Sequence, residues 1–201
     1  MNLIRHVGLK QYSMLGVNTC RRHSIQQKIT IERSQYLIRP AEPQDEEEIS
    51  TLLQESYPKL MRSCYNSEVL DVALPAMTAA NPALLSCGTY YIIQCVDAEN
   101  CILACGGWTQ QAPGRVGSVV SSVGHIRHFA THPDWTGNGL GKAFLDRCVH
   151  EAQAVGLSHL ECFSCINAEG FYRAAGFEVV ERTSVPMGVI SFPCTLMRRQ
   201  L

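Results

Sequence analysis

Two hydrophobic periods alternate along the chain. Residues 36–41 are β-prone and stop at Pro43. The acidic run PQDEEE that follows suits a helix N-terminus, where negative charge is favoured. Ile49, Leu52, Leu53 and Leu60 then give that helix one apolar stripe. A second helical pattern covers 67–80 and ends at the Asn81-Pro82 breaker. Residues 89–96 and 101–109 are apolar β-prone runs joined by DAEN and read as a hairpin. The small, turn-rich stretch 110–122 forms a loop before a strand at 125–131. Apolar residues at 140, 144, 145, 148, 149, 152 and 155 predict a helix that ends near Gly156. A strand at 159–165, a short helix at 167–175 and two strands at 177–183 and 189–197 complete the order. The fold class is therefore α/β in the α+β sense, with a mixed sheet. It lacks the regular βαβ alternation of a doubly wound dinucleotide-binding domain.

Chemistry concentrates in HIRHFATHPDWTGNGLG, where the strand at 125–131 runs into Gly137, Gly139 and Gly141 at the opening of a helix. Glycine permits a sharp bend and a close approach to a ligand. The first amides of a helix have no intrahelical partner and carry the positive end of the macrodipole, so a phosphate or pyrophosphate is the natural occupant. Counting excludes two familiar phosphate grips. GxGxxG from Gly137 would need glycine where Lys142 stands, and a Walker pattern would need glycine at Thr136 and Ser or Thr at Ala143.

The segment TGNGLG resembles the central motif of the GCN5-related N-acetyltransferases, the GNAT family. HPDW before it, INAEGFYRAAGF downstream, Gly106-Gly107-Trp108 and the opening YLIRPAEPQDEEEI strengthen the resemblance, which spans residue 36 to the end. It implies an acyl-CoA N-acyltransferase fold, with a mixed, mostly antiparallel sheet of six to seven strands and about four flanking helices. It also implies acetyl transfer from acetyl-CoA, as co-substrate and without a metal, to a primary amine. The backbone of Phe129, Ala130 and Thr131 would meet the pantetheine arm and the thioester carbonyl. Gly137, Asn138, Gly139, Leu140, Gly141 and Lys142 would grip the pyrophosphate. Thr136 departs from the family's Arg or Gln, which implies weaker cofactor affinity. Tyr172 takes the position of the acid that protonates the departing thiolate, its phenol being protonated at neutral pH.

Asn167 reads as a helix N-cap that could also bond the cofactor arm. An ammonium acceptor must lose a proton before it attacks, and His125 and His128 on the fourth strand are the candidate bases. Three apart on a strand, they are expected on opposite faces. His132, before Pro133, reads as a turn residue. The family's acceptor site is shaped by about 63–80 and the loop 184–189. That loop, SVPMGV, holds no acid to pair a polyamine and suits a small amine without high positive charge. A catalytically silent acyl-CoA-binding regulatory module would need the same turn and is the alternative reading.

Composition refines this picture. The 201 residues suit one domain, and a formal charge of −1 gives no reason to expect nucleic acid as a partner. Residues 1–34 nevertheless hold six bases and one acid, a charge of +5, while the remainder holds eleven bases and seventeen acids, a charge of −6. The organisation read from this is a basic extension at 1–34, either disordered or a targeting leader, and an N-acetyltransferase domain at 35–201. The ten cysteines are scattered rather than framework-like, which suits a reducing compartment. Cys162 and Cys165 form a CxxC without the second ligand pair that zinc requires. The cytoplasm is the expected location, with an organelle matrix as the alternative if the leader is a transit peptide. No apolar run of membrane-spanning length is present, so no membrane partner is expected. A homodimer is left open as an assembly.

Overall fold

The structure is a computed structural model that describes residues 36–95, 101–113 and 119–201. The basic extension and the DAEN connection lie outside the described residues. Seven strands form one sheet in the order β1-β2-β3-β4-β5-β7-β6. They are β1 (Tyr36–Pro40), β2 (Tyr90–Cys95), β3 (Ile102–Thr109), β4 (Val123–Thr131), β5 (His159–Ser164), β6 (Glu178–Met187) and β7 (Ile190–Gln200). Every neighbouring pair is antiparallel except β4 with β5. The sheet is thus mixed and mostly antiparallel, the acyl-CoA N-acyltransferase fold.

Five α-helices flank it among the described residues: α1 (Glu46–Met61), α2 (Ser67–Met77), α3 (Pro82–Leu85), α4 (Leu140–Ala154) and α5 (Glu169–Ala174). The Asn81-Pro82 breaker ends one helical region and starts the next. The Asn81 side chain accepts from the Ala83 amide, and Pro82 occupies the first helical position, where its missing N–H costs nothing. Asn66 caps α2 in the same way through the Val69 amide.

The two faces of β2 show how the core is divided. Tyr90 and Ile92 pack toward α1, α2 and α3, while Tyr91 and Ile93 join Leu140 and Phe144 of α4. Strands covered on both faces read as continuous apolar runs rather than alternation, which is why YYII carries no polar residue. Burial of a side chain such as Phe144 contributes about 1.5–3 kcal/mol. Glu151 fixes α4 to the sheet, accepting from Tyr91 Oη at 2.7 and 2.8 Å and from Trp108 Nε1 at 3.2 Å.

Two features depart from the sequence reading. The expected loop 184–189 is mostly strand, because β6 and β7 extend to Met187 and Ile190 and leave only Gly188 and Val189 at the turn. A β-bulge in β4 lies opposite Cys105 to Gly107. Gly124, against Leu157 and Leu160, Ile126, and then Phe129 all pack on the α4 side. Two residues, Arg127 and His128, therefore separate successive side chains of that face. The expectation that His125 and His128 point to opposite faces fails there, since the extra residue breaks the alternation.

Candidate active site

The site begins where β4 and β5 part. They pair only at Val123, Gly124 and His125 against His159, Leu160 and Glu161, after which β4 follows β3 and β5 follows β7. A wedge opens between residues 126–131 and 162–164. The His132 amide donates to Leu103, and Ala130 pairs with Cys105, so Ala130 directs its backbone groups to β3. Phe129 and Thr131, by the alternation of the ladder, direct theirs into the wedge.

Two side chains of α1 confirm that direction. Tyr57 Oη donates to the Phe129 carbonyl at 3.3 Å, and Ser56 Oγ donates to the Thr131 carbonyl at 2.9 Å. The acceptors on this open edge are thereby satisfied by the protein. The amides of Phe129 and Thr131 remain as donors, and a buried donor requires a partner. Ser56 and Tyr57 were not among the residues singled out from sequence. No local signal marks a helix side chain that caps a strand 72–75 positions away.

The glycine turn lies at the C-terminal end of β4. Gly137 and Gly139 have φ of 79° and 80°, in the left-handed region that other residues enter only with strain. Gly139 is the N-cap of α4, and Ala143 is the first amide to bond back, to the Gly139 carbonyl at 2.9 Å. The six amides of Gly137, Asn138, Gly139, Leu140, Gly141 and Lys142 thus have no partner among the described residues. They form a concave row of donors at a helix N-terminus. Gly141 has a different reason to lack a side chain: an added Cβ would lie 3.3 Å from the Phe171 ring.

The turn's own polar side chains are spent locally. Thr136 Oγ1 donates to the Pro133 carbonyl at 3.0 Å, and Asn138 Nδ2 donates to the Trp135 carbonyl at 3.1 Å. Lys142 pairs with Asp146 one turn along the helix. His132 caps the turn of Pro133–Trp135 by accepting from the Asp134 amide, and its Nε2 lies 3.1 Å from Glu55.

Tyr172 stands beside the wedge. Its ring packs among Phe171, Phe177 and Phe129, with centroids at 5.0, 5.4 and 6.3 Å. Burial pushes its phenol well above the ordinary value, so it stays protonated, and its hydroxyl has no hydrogen-bond partner among the described residues. Its helix is held at Glu169, whose carboxylate accepts from Thr195 Oγ1 and Arg182. The Thr195 hydroxyl, and after it the Arg182 guanidinium, hold that carboxyl below the usual carboxylate range. Asn167 is not a cap. It is exposed inside the 3-10 turn Ile166–Ala168, where Cys165 occupies the N-cap and Ala168 precedes α5.

The two strand histidines occupy different settings. His125 is buried on the paired stretch of β4, with Nδ1 at 3.8 Å from Glu161. Burial pulls its pKa down, while Glu161 opposes that and Arg127 adds to it. His128 sits in the bulge, adjacent to Phe129, with φ of 44°. Its Nδ1 is buried without a hydrogen-bond partner among the described residues, and burial, with the neighbouring Arg127 charge, pushes its pKa down to about 4. A strained backbone and an unpartnered ring nitrogen coincide there, the kind of strain that clusters at functional sites.

The far wall of the wedge is tied together by Tyr65. Its Oη donates to the Pro193 carbonyl and accepts from the Ile166 amide, both at 2.9 Å, and its ring stacks on Phe192 at 4.7 Å. The cysteines nearby are poor nucleophiles. Burial raises Cys105 and Cys165 to about 12 and Cys194 to about 11. No group of three or more metal-ligating side chains gathers among the described residues. No described helix is long and apolar enough to cross a membrane. A cavity of about 860 Å³ runs from Lys142 past Phe171 and Gly176 to Arg199.

Residues 109–197 match a family model described as an acetyltransferase (GNAT) domain. No curated protein is significantly similar in sequence. A GCN5-related N-acetyltransferase structure from Rhodopseudomonas palustris superposes with a TM-score of 0.66 at 20% identity, over 82% of this chain and 95% of that one. PaiA N-acetyltransferase from Thermoplasma acidophilum, solved in complex with coenzyme A, gives a TM-score of 0.61 at 13% identity, over 83% and 99%. A GNAT-family acetyltransferase from Staphylococcus aureus gives 0.59 at 13% identity, over 83% and 99%. With strands β1 to β3 completing the sheet around the matched segment, the chain has the fold of the GCN5-related N-acetyltransferases, and its residues 109–197 match the acetyltransferase (GNAT) domain model.

Proposed function

We propose that the protein is an N-acetyltransferase that moves the acetyl group of acetyl-CoA to the primary amine of a small molecule, directly and within a ternary complex. The observation that carries this reading is two sets of amides without a partner among the described residues. One is Phe129 and Thr131 in the wedge, and the other is the six at the start of α4. The helix-start amides suit a pyrophosphate, and the wedge amides suit the pantetheine arm and the thioester carbonyl. A backbone donor aimed at the developing oxyanion contributes about 2.7–4 kcal/mol to transition-state stability.

Chemistry then needs a proton acceptor and a proton donor. The amine nitrogen bonds to the acetyl carbon, and its proton passes to His128, directly or through water. Its place beside Phe129 and an Nδ1 without a partner among the described residues favour His128 over His125, and its low pKa keeps the ring neutral but makes it a weak base in the absence of substrate. The carbon–sulfur bond breaks, and the thiolate takes the proton of Tyr172. Solvent returns the proton from His128 to Tyr172, which leaves amide and free CoA. Direct transfer is favoured because the cysteines near the wedge have raised pKa values, the opposite of what an acyl-enzyme nucleophile requires.

The test is a thermal-shift titration with acetyl-CoA, desacetyl CoA and ATP, followed by an amine screen that reads free CoA thiol. Stabilisation by acetyl-CoA with amine-dependent CoA release is expected. Stabilisation without release from any amine would instead support the acyl-CoA-binding regulatory module. Absence of any shift with acetyl-CoA would overturn both, because a specific ligand stabilises the state it binds.

A further inference from the structure

A second cavity, of about 560 Å³, lies between α3 and the β3–β4 pair, lined by Asn81, Leu84, Cys87, Thr109, Gln111 and Arg127 among others. Its described lining contains one cation and no acid. Several arginines of the structure each meet a carboxylate, while Arg199 donates to the Ala175 carbonyl. Arg39 meets Asp45, Arg147 meets Glu151, Arg182 meets Glu169 and Arg198 meets Glu161. Arg127 is half-buried and meets no carboxylate among the described residues. Its Nη1 donates to Thr109 Oγ1 at 2.9 Å and to the Gln111 carbonyl at 3.2 Å. These bonds aim the guanidinium and leave Nε and Nη2, one edge of the fork, without an acceptor among the described residues.

We propose that the acceptor amine carries a carboxylate, and that Arg127 binds this carboxylate in the cavity beneath α3. The inference rests on the acetyltransferase reading and specifies its substrate class. A half-buried cation without a counterion is costly, and a guanidinium edge matches a carboxylate with two parallel hydrogen bonds. Burial lowers the Arg127 pKa, as expected of a cation that lacks an anion. One guanidinium balances one carboxylate, whereas a phosphate dianion would call for a second charge.

Position completes the argument. Arg127 precedes Phe129 by two residues on β4, so the strand that would polarise the thioester also carries the anchor. Two residues of chain span at most about 7 Å, so the backbone positions of the two lie within the length of one amino acid or a short aminocarboxylate. The cavity volume suits a ligand of that size.

The experiment is a panel of matched acceptors with acetyl-CoA, read by free CoA thiol: amino acids and ω-amino acids, their carboxamides, and the corresponding decarboxylated amines. Wild type is expected to prefer the carboxylates by about 10- to 100-fold in kcat/KM, the value of a charge-assisted pair. In Arg127→Met that preference is expected to collapse through a raised KM for the acids, with the thermal shift by acetyl-CoA retained. Arg127→Lys, which keeps the charge without the fork, should recover part of it. If carboxamides or plain amines turn over as well as the acids, the carboxylate assignment falls and the acetyltransferase reading stands. If acetyl-CoA stabilises the protein but no amine releases CoA, the acetyltransferase reading falls and this assignment falls with it.

Discussion

His128 should leave a signature in the pH dependence of folding. Its imidazole is held at about 4 in the folded protein against an ordinary value near 6.5. Between those values the unfolded chain binds a proton that the folded chain refuses, so stability falls as pH falls through this window. The loss from this one group is about 3 kcal/mol between pH 7 and pH 4. The perturbation is His128→Asn, chosen because asparagine tolerates a left-handed backbone such as the φ of 44° found here, and because its amide does not titrate. Urea unfolding followed by the fluorescence of Trp108 and Trp135, at half-unit steps from pH 7 to pH 4, measures both proteins. Wild type should lose about 3 kcal/mol more than the variant across that range. His125, whose pKa is also lowered, is present in both proteins and cancels. Parallel stability curves would refute the reasoning, since they would mean that His128 is protonated as readily folded as unfolded.

Three further outcomes follow from named contacts. Tyr172→Phe should lower kcat by about 10 to 10⁴, the range of acid–base effects, while acetyl-CoA affinity and stability hold, because the hydroxyl has no hydrogen-bond partner among the described residues. Unchanged turnover across the pH profile would remove Tyr172 from the chemistry. Gly139→Ala should cost about 1–2 kcal/mol at its φ of 80° and weaken acetyl-CoA binding by thermal shift, although an added Cβ meets no atom within 4 Å. An undiminished shift would mean that the turn does not hold the ligand. Glu151→Ala should destabilise the protein by about 2–3 kcal/mol in urea unfolding, since it removes the acceptor of Tyr91 and Trp108. A loss under 0.5 kcal/mol would show that these bonds are replaced by water without penalty.

The sequence by itself determined whatever depends on local backbone geometry. Gly137 and Gly139 marked a turn that only glycine enters without strain, the apolar stripe from Leu140 placed α4, and the FYRAAGF segment, with the glycine motif, pointed to the GNAT fold. Capping was legible less evenly. Asn66 and Asn81 cap as their residue type suggests, whereas Asn167 does not, because it lies inside a 3-10 turn whose N-cap is Cys165, two residues earlier.

Tertiary structure decided the rest, because pairing between distant segments leaves no period in a single strand. The wedge exists only because β4 and β5 stop pairing after His125 and Glu161, while β4 stays paired with β3 and β5 with β7. The bulge at His128 exists because β3 offers glycines opposite it, and a Cβ at Gly106 would strike the Phe129 ring at 2.6 Å. Counting by twos along HIRHFAT could not foresee that extra residue. Ser56 and Tyr57 became part of the site because a helix far away in sequence lies against the open edge of β4. Arg127 drew no notice in the sequence for the same reason. What marks it is a cavity in which no described carboxylate meets its charge, and whether a charge meets a counterion is settled only when the chain has folded.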